Sequence, residues 1–69
     1  MTQETDLDGL IRRRIKSLRQ ARGLSLDALA ALCFLSPSTL SRIETGHRRI
    51  ALDQLVPIAR ALGTTLDQL

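Results

Sequence analysis

Signals that stop and start helices follow one another at short intervals in this chain, and that spacing restricts it to a bundle of short helices. Gly23 ends one apolar-periodic stretch and Ser25 opens another two residues later. Ser36-Pro37 opens a third, Gly46 closes it, and Gly63 closes a fourth. Each signal has a mechanism. A serine oxygen at the N-cap accepts from an unpaired backbone N–H, proline lacks an N–H and fits the first helical position, and glycine takes the left-handed backbone on which many helices end.

Between these signals the apolar residues recur at helical spacing. Leu10, Ile11, Ile15 and Leu18 define a first helix from Leu10 to about Ala21, with Arg12, Arg13, Arg14, Lys16 and Gln20 on its other faces. Leu26, Leu29, Ala30 and Cys33 give a second, and Leu40 with Ile43 the buried stripe of a third. Leu52, Leu55, Val56, Ala59 and Leu62 mark a fourth, although Pro57 within it removes a backbone hydrogen bond. That predicts either a late start near Asp53 or a kink. Thr65 is placed to cap a fifth helix at Leu66. Residues 1–8 carry no period and read as a flexible polar leader, with residues 9–69 as one domain. The expected fold class is all-α, a compact four- to five-helix bundle containing a helix-turn-helix.

Charge and composition narrow the partners. Three of the seven acidic residues, Glu4, Asp6 and Asp8, fall in the first eight positions, which leaves four against ten Lys and Arg in the rest of the chain. A domain this small and basic suits a polyanion. Phe34 is the sole aromatic residue among Phe, Tyr and Trp, so the stacking that grips single strands is nearly absent and a duplex is the expected nucleic acid. Cys33 alone forms neither an internal disulfide nor a multi-cysteine metal site, which fits a reducing cytoplasm. No signal-peptide layout and no membrane-length apolar run is present, and no metal or cofactor is called for. With one His, one Cys and no phosphate loop, an enzyme is the class least supported.

The exposed face of the third helix carries the function. With Leu40 and Ile43 turned inward, Pro37, Ser38, Ser41, Arg42 and Thr45 point outward, small or hydrogen-bonding residues around one long arginine. Small polar residues let a helix approach base edges, and arginine can reach guanine O6 and N7 with two hydrogen bonds. A polar, basic face also argues against the rival reading of a protein-interaction module of antitoxin-like or coactivator-like type, which would present an apolar stripe.

The blocks LSLDALA, SPSTLSRIETG and IARALGTTLDQL, in that order and spacing, resemble the Xre/Cro-type, lambda-repressor-like helix-turn-helix family over about residues 10–69. The resemblance implies a bacterial or phage transcriptional regulator that binds double-stranded DNA as a homodimer, its third helix (about residues 37–45) in the major groove. It places Ser36, Pro37, Ser38, Thr39 and Arg42 at or near base edges. Ser25, Leu26, Gly46, His47, Arg48 and Arg49 fall on the phosphates, and Arg19 and Glu44 form a structural ion pair. It puts a dimer surface near Leu62, Leu66 and Leu69, or else in a downstream dimerisation or effector domain of a longer parent chain. Two positions depart from the family pattern. Phe34 stands where the turn usually has glycine, which implies either a ring packed on the core edge or a reshaped turn; Pro37 and Ser38 replace longer amide side chains.

Other residues admit plainer readings. His47 is titratable and close to the expected phosphate contacts, but a lone histidine beside glycine reads as loop. Cys33 on an apolar face reads as a small buried hydrophobe rather than a redox sensor. Arg12, Arg13 and Arg14 point in different directions, so they cannot all follow one strand, and Arg14 and Lys16 are lesser phosphate candidates.

Overall fold

The computed structural model describes residues 7–65 and Leu69. These contain four helices: α1 (Leu7–Ala21), α2 (Leu26–Leu32), α3 (Pro37–Thr45) and α4 (Leu52–Ala61). α1 begins three residues before Leu10, taking in Leu7 and Asp8, which the sequence reading had assigned to the leader; Asp8 in its first turn suits the positive end of the helix dipole. Residues 1–6 of that leader and Leu66, where a fifth helix was expected, lie outside the described residues.

The starts of α2 and α3 are set by serine. Ser25 Oγ accepts from the Ala28 backbone N–H at 3.0 Å and Ser36 Oγ from that of Thr39 at 3.1 Å, with Pro37 in the first turn of α3. The four helix ends share one pattern. The Leu24, Leu35, His47 and Thr64 N–H groups each reach back five residues, to the carbonyls of Arg19, Ala30, Arg42 and Ala59, at 2.9–3.0 Å. The residue just before each of these has a positive φ: Gly23 at 68°, Phe34 at 61°, Gly46 at 87° and Gly63 at 70°. This is the Schellman terminator, which satisfies carbonyls that the helix leaves over.

Phe34 therefore keeps the left-handed turn that glycine usually supplies. Its ring does not pack on the core edge; it is 91% exposed. The expectation of compensation by ring packing, or of a reshaped turn, is corrected on both counts. The turn holds because its backbone hydrogen bonds and the burial of Leu35 beyond it fix the conformation from either side.

The core draws on all four helices and is wholly aliphatic apart from one thiol. Ile15, Leu29, Ala30, Cys33, Leu40, Ile43, Ile58, Ala59 and Leu62 are buried. α2 packs against α3 and α4, and α3 also against α1. Burial pushes the Cys33 thiol above its usual range, and its Sγ donates to the Leu29 carbonyl at 3.1 Å, which fits a packed hydrophobe and withholds the reactive thiolate. In α4 the buried stripe is Leu55, Ile58, Ala59 and Leu62, the last three fully packed, while Leu52 and Val56 face solvent. Leu52 opens α4 one residue ahead of Asp53, and Pro57 is accommodated inside it. Leu62 belongs to the core and is closed to a partner, which corrects its assignment to a dimer surface; Leu69 packs against the same core.

Because the Phe34 ring contributes almost no burial, replacing it removes strain at little loss. Phe34→Gly is expected to raise stability by about 1 kcal/mol, the left-handed penalty less the greater flexibility of unfolded glycine. That corresponds to a Tm increase of roughly 4–8 °C for a domain of this size by thermal melting, with Phe34→Ala close to neutral.

Candidate nucleic-acid interface

α3 is nine residues long, and its placement rests on one bidentate contact at its C-terminal half. Arg19, in the last turn of α1, donates from Nε to Glu44 Oε2 at 2.8 Å and from NH2 to Glu44 Oε1 at 3.1 Å. Its NH1 donates to the Leu24 carbonyl at 2.9 Å. One guanidinium thus ties together the end of α1, the turn into α2 and the back of α3. The two side chains are only 12% and 4% exposed. The Arg19–Glu44 pair that the family resemblance implies is present.

At the other end of α3, Ser36 and Thr39 form a closed capping pair. Ser36 Oγ accepts from the Thr39 N–H and donates to Thr39 Oγ1 at 2.9 Å. Both hydroxyls were expected at base edges, and the structure commits the Ser36 proton to the cap. Pro37, Ser38 and Arg42 are exposed on the outer face, with Ser41 half-buried beside them. Their exposure follows from the inward commitment of Leu40 and Ile43.

The flanking residues fall into two groups. Ser25 is exposed at the start of α2, but the Leu26 side chain packs toward the core, so any contact from Leu26 runs through its backbone N–H. Beyond α3, Gly46, His47, Arg48 and Arg49 are all exposed. The His47 and Arg48 N–H groups both donate to the Arg42 carbonyl, at 2.9 and 3.2 Å, which folds this basic loop back against the end of α3.

Two contributors were not legible as partners of this loop. Arg12 reaches across from α1 so that its guanidinium lies over Gly46, 2.9 Å from where a Cβ would stand. Thr45 Oγ1 lies 2.8 Å from His47 Nδ1. The helical period placed Arg12 on the polar side of α1, but only the packing angle of α1 on α3 brings it to the loop. Among the described residues no group of metal-ligating side chains occurs, and no helix is long and apolar enough to cross a membrane.

Comparison with known proteins agrees with this fold. A family model described as helix-turn-helix matches residues 15–69. An uncharacterized HTH-type transcriptional regulator of Rickettsia conorii is 38% identical over 61 residues, 88% of this chain and 49% of its own. The chain thus spans about half the length of that relative. Among solved structures, the restriction-modification controller protein C.AhdI of Aeromonas hydrophila superposes with a TM-score of 0.84 at 31% identity, covering 88% of this chain and 92% of its own. A hypothetical transcription factor, NHTF, from Neisseria gives a TM-score of 0.87 at 31% identity over 94% and 73% of the two chains.

The Arg19–Glu44 bridge is shielded, so removing one partner strands the other. Glu44→Ala is expected to lower the unfolding free energy by about 3 kcal/mol or more in urea titration, a large part of the stability available to a domain this small. A loss under about 1 kcal/mol would put the bridge in the class of solvent-screened surface pairs.

Proposed function

From the premise that this chain belongs to the Xre/Cro-type helix-turn-helix family, we propose that it is a transcriptional regulator that reads double-stranded DNA by sequence, with α3 in the major groove. The observation that carries the reading is the outer face of α3, where Ser38 and Arg42 stand exposed beside Pro37 while Leu40 and Ile43 are buried. The helix behind that face is braced by Arg19 and Glu44, so its register is held before DNA arrives.

Within this reading Arg42 makes the direct base contact, bidentate to a guanine, and Ser38 approaches a base edge at short range. Pro37 contributes apolar contact and cannot donate. Ser36 acts through the cap rather than by donating to bases, while Thr39, whose hydroxyl accepts from Ser36 and keeps its own proton, stays a base-edge donor. Ser25, the Leu26 N–H, the Gly46 backbone, His47, Arg48 and Arg49 hold phosphates on either side and set orientation without reading sequence. Two copies bound with two-fold symmetry would place successive recognition helices one DNA turn, about 34 Å, apart. With few long side chains on the reading face, part of the specificity falls to water and to DNA shape.

Two substitutions separate reading from holding. Arg42→Ala is expected to flatten the preference between a selected site and random duplex, with a loss of roughly 1–3 kcal/mol confined to the selected site. Arg49→Ala is expected to weaken both duplexes alike and to reduce the slope of log affinity against log salt by about 1. Identical behaviour of the two variants in anisotropy titrations would sink the site assignment. Failure of the folded chain to bind any duplex at low salt would point instead to a protein partner.

A further inference from the structure

The loop after α3 contains a histidine whose ring meets a threonine hydroxyl. In the terminators of α1 and α2 the residue after the left-handed position, Leu24 or Leu35, packs into the core. In α3 that position is His47, whose side chain is exposed. Thr45 Oγ1 lies 2.9 Å from the Ser41 carbonyl, 3.3 Å from the Arg42 carbonyl and 2.8 Å from His47 Nδ1. A hydroxyl has one proton and two lone pairs. Back-bonding to the carbonyl four residues earlier, the habit of threonine in helices, uses that proton. The ring must then donate from Nδ1, so neutral His47 carries its hydrogen there and presents Nε2 outward as a bare acceptor.

We propose that Thr45 is a positioning residue for His47, and that His47 binds a DNA phosphate through Nε2 only as the imidazolium, so that duplex binding takes up a proton. The inference rests on the DNA-binding reading above and adds a coupling to it. A bare Nε2 repels a phosphate oxygen, since both are acceptors. Adding a proton there turns repulsion into a charge-assisted hydrogen bond without moving the ring, because the Thr45 contact to Nδ1 serves both protonation states.

Among the described residues, the charged groups of this loop and of the helices that flank it come from three elements. Arg12 of α1 lies over Gly46, Arg42 and Glu44 belong to the last two turns of α3, and Arg48 and Arg49 follow in the loop. Glu44 is engaged by Arg19, and the others are cations. The negative charge that holds the extra proton is therefore supplied by the phosphate itself. His47 is the only histidine in the chain, so one substitution removes every imidazole.

The test is anisotropy titration of the full chain against a labelled random-sequence duplex of about 20 base pairs at fixed ionic strength, from about pH 5.5 to 8.5. Wild type is expected to tighten roughly tenfold as pH falls across that range, at most tenfold per unit, since one proton per protomer is linked. His47→Gln, which can donate but not take up a proton, is expected to abolish the dependence and so removes the terminal amine as its source. Thr45→Val is expected to lose roughly threefold or more of the low-pH gain, because the ring is no longer oriented. A loss in Thr45→Val that is equal at every pH would show a merely structural role and overturn the proposal. Nitrogen-15 NMR of the free chain at high pH gives a readout that does not depend on DNA. The Nδ1–H tautomer is expected, and the Nε2–H tautomer would overturn the proposal. Duplex binding that is independent of pH would refute the proton coupling and leave the DNA-binding reading standing. Absence of binding at any pH and at low salt would refute both.

Discussion

Backbone carbonyls left over at the ends of short helices are the constraint on which this structure depends. Helices of seven to fifteen residues are marginal alone, and each must be ended within a few residues for the next to turn back onto the core. The chain solves this four times with the same five-residue reach-back bond over a left-handed residue. Packing follows from it: Leu24 and Leu35, delivered by the first two terminators, enter the core, and Leu62, just before the fourth, completes it. The basic loop follows as well, since the third terminator turns the chain outward after α3.

The Arg19–Glu44 bridge converts that string of helices into an oriented device. Its three hydrogen bonds join α1, the first turn and α3, so the outer face of α3 is set against the frame and not only against its neighbour α2. The N-terminal half of α3 is fixed separately by the Ser36–Thr39 cap. Between these two anchors lie Pro37, Ser38 and Arg42, available because the groups around them are already engaged.

Most of this was legible where a residue type has one dominant structural use. Ser25, Ser36-Pro37, Gly23, Gly46 and Gly63 marked their boundaries, and the resemblance to the family implied the ion pair. Legibility failed where the signal is indirect. Phe34 conceals a left-handed position because glycine is its usual marker, and the exposure of its ring could not be read from a strong hydrophobe. Leu7 and Asp8 join α1 although they precede its clear period. In α4, Leu52 and Val56 fit an apolar pattern that competes with the true stripe through Ile58, and only packing against α2 decides between them. Of the candidate interface, residue types announced the outer face of α3, while the reach of Arg12 to Gly46 depends on how α1 packs on α3 and the Thr45–His47 contact on the local turn that ends the helix.

With its one phenyl ring in solvent and no tryptophan or tyrosine, the protein has an interior without any aromatic plane. Aliphatic side chains and one thiol define the shape of the core. The buried methyl groups consequently sit outside any strong ring current, so their NMR shifts depend chiefly on rotamer and backbone. Changes in those shifts when DNA binds would report rearrangement of the aliphatic scaffold itself, uncoloured by the motion of a nearby ring.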